Sequence, residues 1–156
     1  MRKKSYILFI AVSLAVGGLS ALLTRGNMDL YSQITRPPLS PPSILFPIVW
    51  TILYILMGIG AAMVWNDRSR DPKAAQSAIR IFAVQLGVNF LWSLIFFNLR
   101  AFLFSFFWLL LLWMLIVLMI SRFSLISTAA GKLQLPYLFW VTFAGYLNLA
   151  IYFLNR

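Results

Sequence analysis

Tryptophan occurs with an amide or a phenol, at helical spacing, in three separate apolar stretches of this chain. Trp50 and Tyr54 lie one turn apart. Gln85 and Asn89 do the same, and Trp92, Ser93 and Phe96 continue their face. In the third stretch Trp140, Ala144 and Asn148 repeat the spacing, with Phe143 and Leu147 alongside. Side chains at i, i+3, i+4 and i+7 share one side of a helix. That side cannot face hydrocarbon, where an amide without a partner costs several kcal/mol. The three stripes must therefore face one another or a common cavity. Such a wall suits a large, flat, apolar ligand with a few polar edges. Trp50, Trp92 and Trp140 would stack on it, while Gln85, Asn89 and Asn148 would bond its edges.

Other chemistries lack their residues. The three acids, Asp29, Asp67 and Asp71, lie between the apolar runs, and the chain has no histidine and no cysteine. No donor set exists for zinc, copper or a di-iron centre. Haem iron would find only Met or Tyr, and Ser-His-Asp hydrolysis has no base. Ion-coupled transporters place ionisable groups inside their spans, and no acid or histidine lies in one here. Neither metal nor cofactor is expected. Any redox chemistry would fall to the indoles, with ligand, light and oxygen as co-reactants.

The elements that must position these residues are membrane spans. The chain is 62% hydrophobic and only 10% charged, with mean hydropathy +0.90. No soluble domain of 156 residues buries that much apolar side chain. A span needs about 20 apolar residues, and five such runs occur, at 5–23, 44–64, 79–97, 101–120 and 135–154. None alternates as a barrel strand would. The expectation is an all-α, polytopic membrane protein, a five-transmembrane-helix bundle forming a single domain over residues 1–156. Span 101–120 has only Ser105 as a polar residue and is expected to be lipid-facing filler. Trp65, Trp108 and Trp113 read as interfacial anchors or packing residues. Small residues four apart, Ser13, Gly17 and Ala21 in the first span and Gly58 and Ala62 in the second, allow close approach between spans or subunits. No internal repeat of the transporter kind is visible.

The longest connector, 24–43, holds Arg36-Pro37-Pro38-Leu39-Ser40-Pro41-Pro42. It cannot be helical there and should run extended, either as a lid over the bundle mouth or as a spacer into the second span. The net charge of +10 does not read as a nucleic-acid footprint, because the 13 cations form no stripe. They follow topology instead. Arg2, Lys3, Lys4, Arg68, Arg70, Lys73, Arg122 and Lys132 fall on one side of the bundle. Arg25, Arg36, Arg100 and Arg156 fall on the other, and Arg80 would snorkel toward the richer side. The positive-inside rule then places the N-terminus in the cytoplasm and the C-terminus outside, in a bacterial plasma membrane. The first apolar run exceeds the usual h-region of about 7–15 residues and has no clear cleavage site, so it reads as an uncleaved span.

One ordered set of residues resembles the TspO/MBR family of tryptophan-rich sensory and translocator proteins. It starts with Tyr31, then Arg36-Pro37 through Pro41-Pro42, then Trp50-Thr51-Ile52-Leu53-Tyr54. Gln85, Asn89, Trp92-Ser93 and Phe96-Phe97 follow, then Pro136-Tyr137, Trp140, Phe143-Ala144 and Leu147-Asn148. The resemblance covers nearly the whole chain. It implies a five-helix bundle, commonly a homodimer, that binds porphyrins, sterols and isoquinoline-type ligands under the first loop. It also implies that Trp50 and Trp140 are the pocket tryptophans, Tyr31 and Pro42 the lid, and Asn89, Ala144 and Leu147 the pocket wall. Two departures stand out. Leu39 replaces a usual loop aromatic, and Leu149 stands where animal relatives carry the tyrosine of their cholesterol pattern, although Leu149, Tyr152 and Arg156 satisfy its loose form.

The expected function is an integral-membrane tetrapyrrole-binding protein, a sensor or carrier, with porphyrin and membrane lipid as partners and no nucleic acid. Arg25 or Arg36 would meet the ligand's acidic groups. The first alternative is an enzyme degrading porphyrin with light and oxygen, with Trp50 and Trp140 as catalytic candidates. A transporter of sterols or other lipophiles is the second, and a bundle whose polar stripes only hold helices together is the third.

Overall fold

The computed structural model describes residues 2–27 and 29–156, with Tyr31 by its backbone only. It is built of helices, with no strand among the described residues. Five helical segments are long and apolar enough to cross a membrane: Arg2–Asn27, Leu45–Asn66, Pro72–Asn98, Phe102–Ile126 and Thr128–Asn155. The chain is thus a polytopic membrane protein built as a five-helix bundle. Within those segments the α-helices are α1 (Arg2–Thr24), α3 (Leu45–Asn66), α4 (Pro72–Ser93), α5 (Phe102–Ile126), the short α6 (Thr128–Lys132) and α7 (Leu135–Asn155). A one-turn helix, α2 (Leu30–Gln33), lies in the first connector.

Several helices outrun their apolar stretches, and local caps explain where they stop. α4 begins seven residues before the apolar run, at Pro72. There the Asp71 carboxylate accepts from the Ala74 amide at 3.1 Å, and proline at the first position loses no needed donor. The Ser127 hydroxyl caps α6 by accepting from Ala130 N. α4 ends in a π turn, Leu94–Asn98, and the chain reverses through Arg100, whose φ is 51°.

The bundle core forms where α4, α5 and α7 pack together and α3 closes against α1 and α4. The α1–α3 seam is tight because of glycine. A Cβ at Gly58 would strike the Ile10 backbone, and one at Gly17 would strike the Tyr54 ring. Gly17 and Gly58 therefore serve approach between helices of one chain.

Span four is not mere filler. Ser105, Leu109, Leu112, Ile116, Met119 and Phe123 of α5 are buried against α4 and α7, while Phe104, Phe107, Leu111 and Met114 on its other face stay exposed. Trp108 Nε1 donates to the Val88 carbonyl at 2.8 Å, and Trp113 Nε1 donates to Thr142 Oγ1 at 2.9 Å. Those two indoles tie α5 to its neighbours.

The proline connector does not run straight. It turns at Pro38-Leu39, where Leu39 has φ 68° and the Ser40 hydroxyl donates back to the Pro37 carbonyl at 2.6 Å. Positive φ after proline is the pattern of a type II turn, which glycine would fill without strain. The connector is fastened to α7. Thr35 N donates to Asn155 Oδ1 at 2.8 Å, and Asn155 Nδ2 donates to the Thr35 carbonyl at 3.0 Å. Tyr146 OH donates to the Pro38 carbonyl at 2.6 Å.

Candidate functional site

The helices enclose a cavity of about 590 Å³ at the end of the bundle that carries the first connector. That volume suits a small-molecule or cofactor site. From α3 come Trp50 and Tyr54, and from the end of α4 and its π turn come Trp92, Ser93, Phe96 and Phe97. α7 brings Trp140, Ala144, Leu147, Asn148 and Ile151. The remaining wall is α1, through Gly17, Ser20, Ala21 and Thr24, followed by Arg25 and by the segment Ser43–Pro47. α5 lines none of it.

The aromatic side chains form three clusters, one around each tryptophan. Trp50 lies 5.8 Å from Tyr54 and 6.3 Å from Tyr137, centroid to centroid. Trp92 stacks on Phe96 at 5.2 Å and 24°. Trp140 sits edge-on to Phe46 at 5.8 Å and against Phe143 at 5.7 Å. The separations fall in the attractive range for ring pairs.

The polar members of the stripes divide into two groups. Gln85 and Asn89 are buried away from the cavity and belong to a chain of hydrogen bonds. Tyr54 OH donates to Asn89 Oδ1 at 2.9 Å, and Asn89 Nδ2 donates to Tyr137 OH at 2.7 Å. Tyr137 OH then donates to Gln85 Oε1 at 2.7 Å, and Gln85 Nε2 reaches Met57 Sδ at 3.4 Å. These amides are already partnered by protein, so the structure does not present them to a ligand.

Asn148 lines the wall, yet its amide is also engaged. Its Oδ1 accepts from Trp92 Nε1 at 3.1 Å, and its Nδ2 donates to the Phe102 carbonyl at 2.8 Å. The single proton of Ser105 Oγ lies within reach of both Asn148 Oδ1 and the Phe102 carbonyl, at 3.1 and 2.8 Å. Asn148 therefore fixes Trp92. By contrast, Trp140 Nε1 is buried with no partner among the described residues, so it is a donor they leave unused.

Of the residues singled out from the sequence, Trp50, Tyr54, Trp92, Ser93, Trp140, Ala144, Leu147 and Asn148 share this wall. Phe143 does not. It lines a separate groove of about 410 Å³ with Val49, Ile52, Leu53, Pro136 and Phe139, on the other side of Trp140. Pro42 is exposed, and neither it nor Pro37, Pro38 or Pro41 lines the wall. The side chain of Tyr31 lies outside the described residues. Among the described residues of 26–42, none lines this cavity. The contribution of α1 has no chemical signature in the sequence. Gly17, Ala21 and Arg25 do follow one another at four-residue spacing, a face whose small members leave room opposite the indoles.

Comparison with known proteins decides the kinship. The TspO/MBR family profile matches residues 9–154. The chain belongs to the TspO/MBR family. Its TspO/MBR relatives include the tryptophan-rich protein TspO of Chlorobaculum tepidum, 38% identical over 95% of this chain and 94% of that protein. Protein CrtK of Rhodobacter capsulatus is 35% identical over 96% of this chain and 91% of its own length. The translocator protein of Bos taurus is 33% identical, with 85% and 79% covered. Bacterial and animal members of the TspO/MBR family are thus both similar to this chain over most of its length.

Proposed function

We propose that this protein is an integral-membrane binding protein for flat lipophilic ligands of the tetrapyrrole class, acting as a sensor or carrier. The observation that carries the reading is the convergence of Trp50, Trp92 and Trp140 on one cavity of about 590 Å³. Each indole face in contact with a macrocycle contributes about 0.5–1.5 kcal/mol beyond burial. The unpaired Trp140 Nε1 supplies one directional donor. Relatives carrying the names tryptophan-rich sensory protein and translocator protein support a sensing or carrying role. The chain contains no His or Cys, which favours free-base porphyrin over haem.

The test is a dark titration of the purified protein with protoporphyrin IX, read by tryptophan quenching. Saturable micromolar binding that weakens about tenfold or more in Trp140→Ala supports the reading, as expected for loss of a stacked aromatic and its donor. No saturable binding in the wild type ends it. The same sample under light tests a second reading, photo-oxidative porphyrin degradation. The position of Trp50 between two phenols, Tyr54 and Tyr137, favours that alternative. Loss of the porphyrin spectrum faster than in detergent, abolished in Trp50→Phe with binding retained, would establish it. Turnover that is absent, or unchanged in the variant, removes it.

A further inference from the structure

The cavity opens between the ends of two helices. Its exposed rim is Ala21 and Arg25 at the end of α1, and Ser43, Ile44 and Pro47 at the start of α3. Inward from this rim the wall becomes indole, phenyl and aliphatic. Among the described residues, Arg25 is the single charged side chain on the wall, and no carboxylate lines it. Arg36, the other cation of this connector, is not on the wall. Among the described residues Arg25 takes no hydrogen bond and no ion pair. Its guanidinium is therefore a free fork of donors at the mouth of an apolar chamber.

Resting on the tetrapyrrole reading above, we propose that Arg25 binds an anionic group of the ligand. The site would then select a flat apolar body that carries a carboxylate at one edge. A guanidinium matches a carboxylate bidentately, which neither a neutral edge nor an ester can reproduce. Orientation follows from the same placement. A carboxylate pushed inward would meet Trp50, Trp92 and Trp140 with no cation to pair it, and an unpaired charge in apolar surroundings is strongly disfavoured. The acid edge stays at the rim with Arg25, and the macrocycle fills the aromatic end.

The experiment compares protoporphyrin IX with its dimethyl ester, which keeps the macrocycle and removes both charges. Full-length protein in nanodiscs of neutral phosphatidylcholine is titrated with each in the dark at low ionic strength. Arg25 is exposed, so the expected preference for the acid is modest, about fivefold. It shrinks with added salt. Arg25→Gln lowers acid affinity to that of the ester and leaves the ester unchanged, whereas Arg36→Gln keeps the preference. Equal affinity of acid and ester for the wild type overturns the proposal. So does a preference that survives Arg25→Gln or vanishes in Arg36→Gln. In each of those cases ester binding still shows a working aromatic pocket. If neither porphyrin binds the wild type, the pocket reading itself falls, and the Arg25 assignment with it.

Discussion

At the scale of single residues, polar groups in a membrane bundle do one of two jobs, and the hydrogen bonds here separate them. Asn89 lies between two phenols, Tyr54 and Tyr137, at 2.9 and 2.7 Å. Replacing it with leucine leaves Tyr54 without its acceptor and Tyr137 without its donor. The loss should be about 1–2 kcal/mol of stability, near the top of the range for interhelical bonds in membranes. Because Asn89 does not reach the cavity wall, the porphyrin affinity of Asn89→Leu should stay within about threefold of wild type. Trp140→Ala should show the opposite profile, losing ligand first. Thermal unfolding followed beside the porphyrin titration checks both, and a shared loss in both variants would refute the division. Asn148 is the intermediate case. Asn148→Leu frees Trp92 Nε1 and takes one of its donors from the Phe102 carbonyl, so stability and binding should fall in parallel. Ser105→Ala should shift Trp92 emission with a smaller effect on either, because Asn148 keeps its two other bonds.

At the scale of helices, the α1–α3 seam is the contact most sensitive to added volume. Gly58→Leu would drive a side chain into the Ile10 backbone, and overpacking of that kind costs about 1–3 kcal/mol or prevents docking. A Cβ at Gly18 meets nothing within 4 Å, so Gly18→Leu should unfold at the wild-type temperature. Equal melting temperatures for the two variants would contradict the tight seam. Both glycines sit in the same kind of small-residue run, so sequence spacing alone does not tell them apart. The spans themselves were legible, because apolar runs of about 20 residues have no other stable home. Their ends were less so. Pro72 to Ala78 extends α4 through residues too polar for an apolar window, held by the Asp71 cap. The stripes also brought Trp50, Trp92 and Trp140 to one wall, since helical period fixes which side chains share a face. Which amides pair with each other depends on the vertical register between helices. No single stripe encodes that register, so Gln85 and Asn89 looked equivalent to Asn148. The α1 wall was hidden for another reason, that glycine and alanine contribute space and no functional group.

At the scale of the whole molecule, the cations set an expected direction for the cavity mouth. Arg2, Lys3, Lys4, Arg68, Arg70, Lys73, Arg122 and Lys132 flank the end opposite the mouth, and Arg25, Arg36, Arg100 and Arg156 flank the mouth end. Few of them act through stability. The Arg2–Asp67 pair is 3.7 Å apart with Arg2 78% exposed, and exposed pairs of this kind contribute about 0–1 kcal/mol. Their consistent effect is on insertion, where lysine and arginine resist translocation and acids matter little. The chain should therefore insert with its N-terminus in the cytoplasm and its mouth facing out, so that added porphyrin reaches the site without crossing the bilayer. Fusing alkaline phosphatase and, separately, a fluorescent protein to the C-terminus checks this in bacterial cells, since each reports only from one side. Phosphatase activity without fluorescence is the expected outcome, and the reverse would overturn the orientation. Neutralising Arg2, Lys3 and Lys4 alone should not flip the protein, because Arg68, Arg70 and Lys73 still anchor the next connector on the same side. Removing all six should produce a mixed population reporting from both fusions.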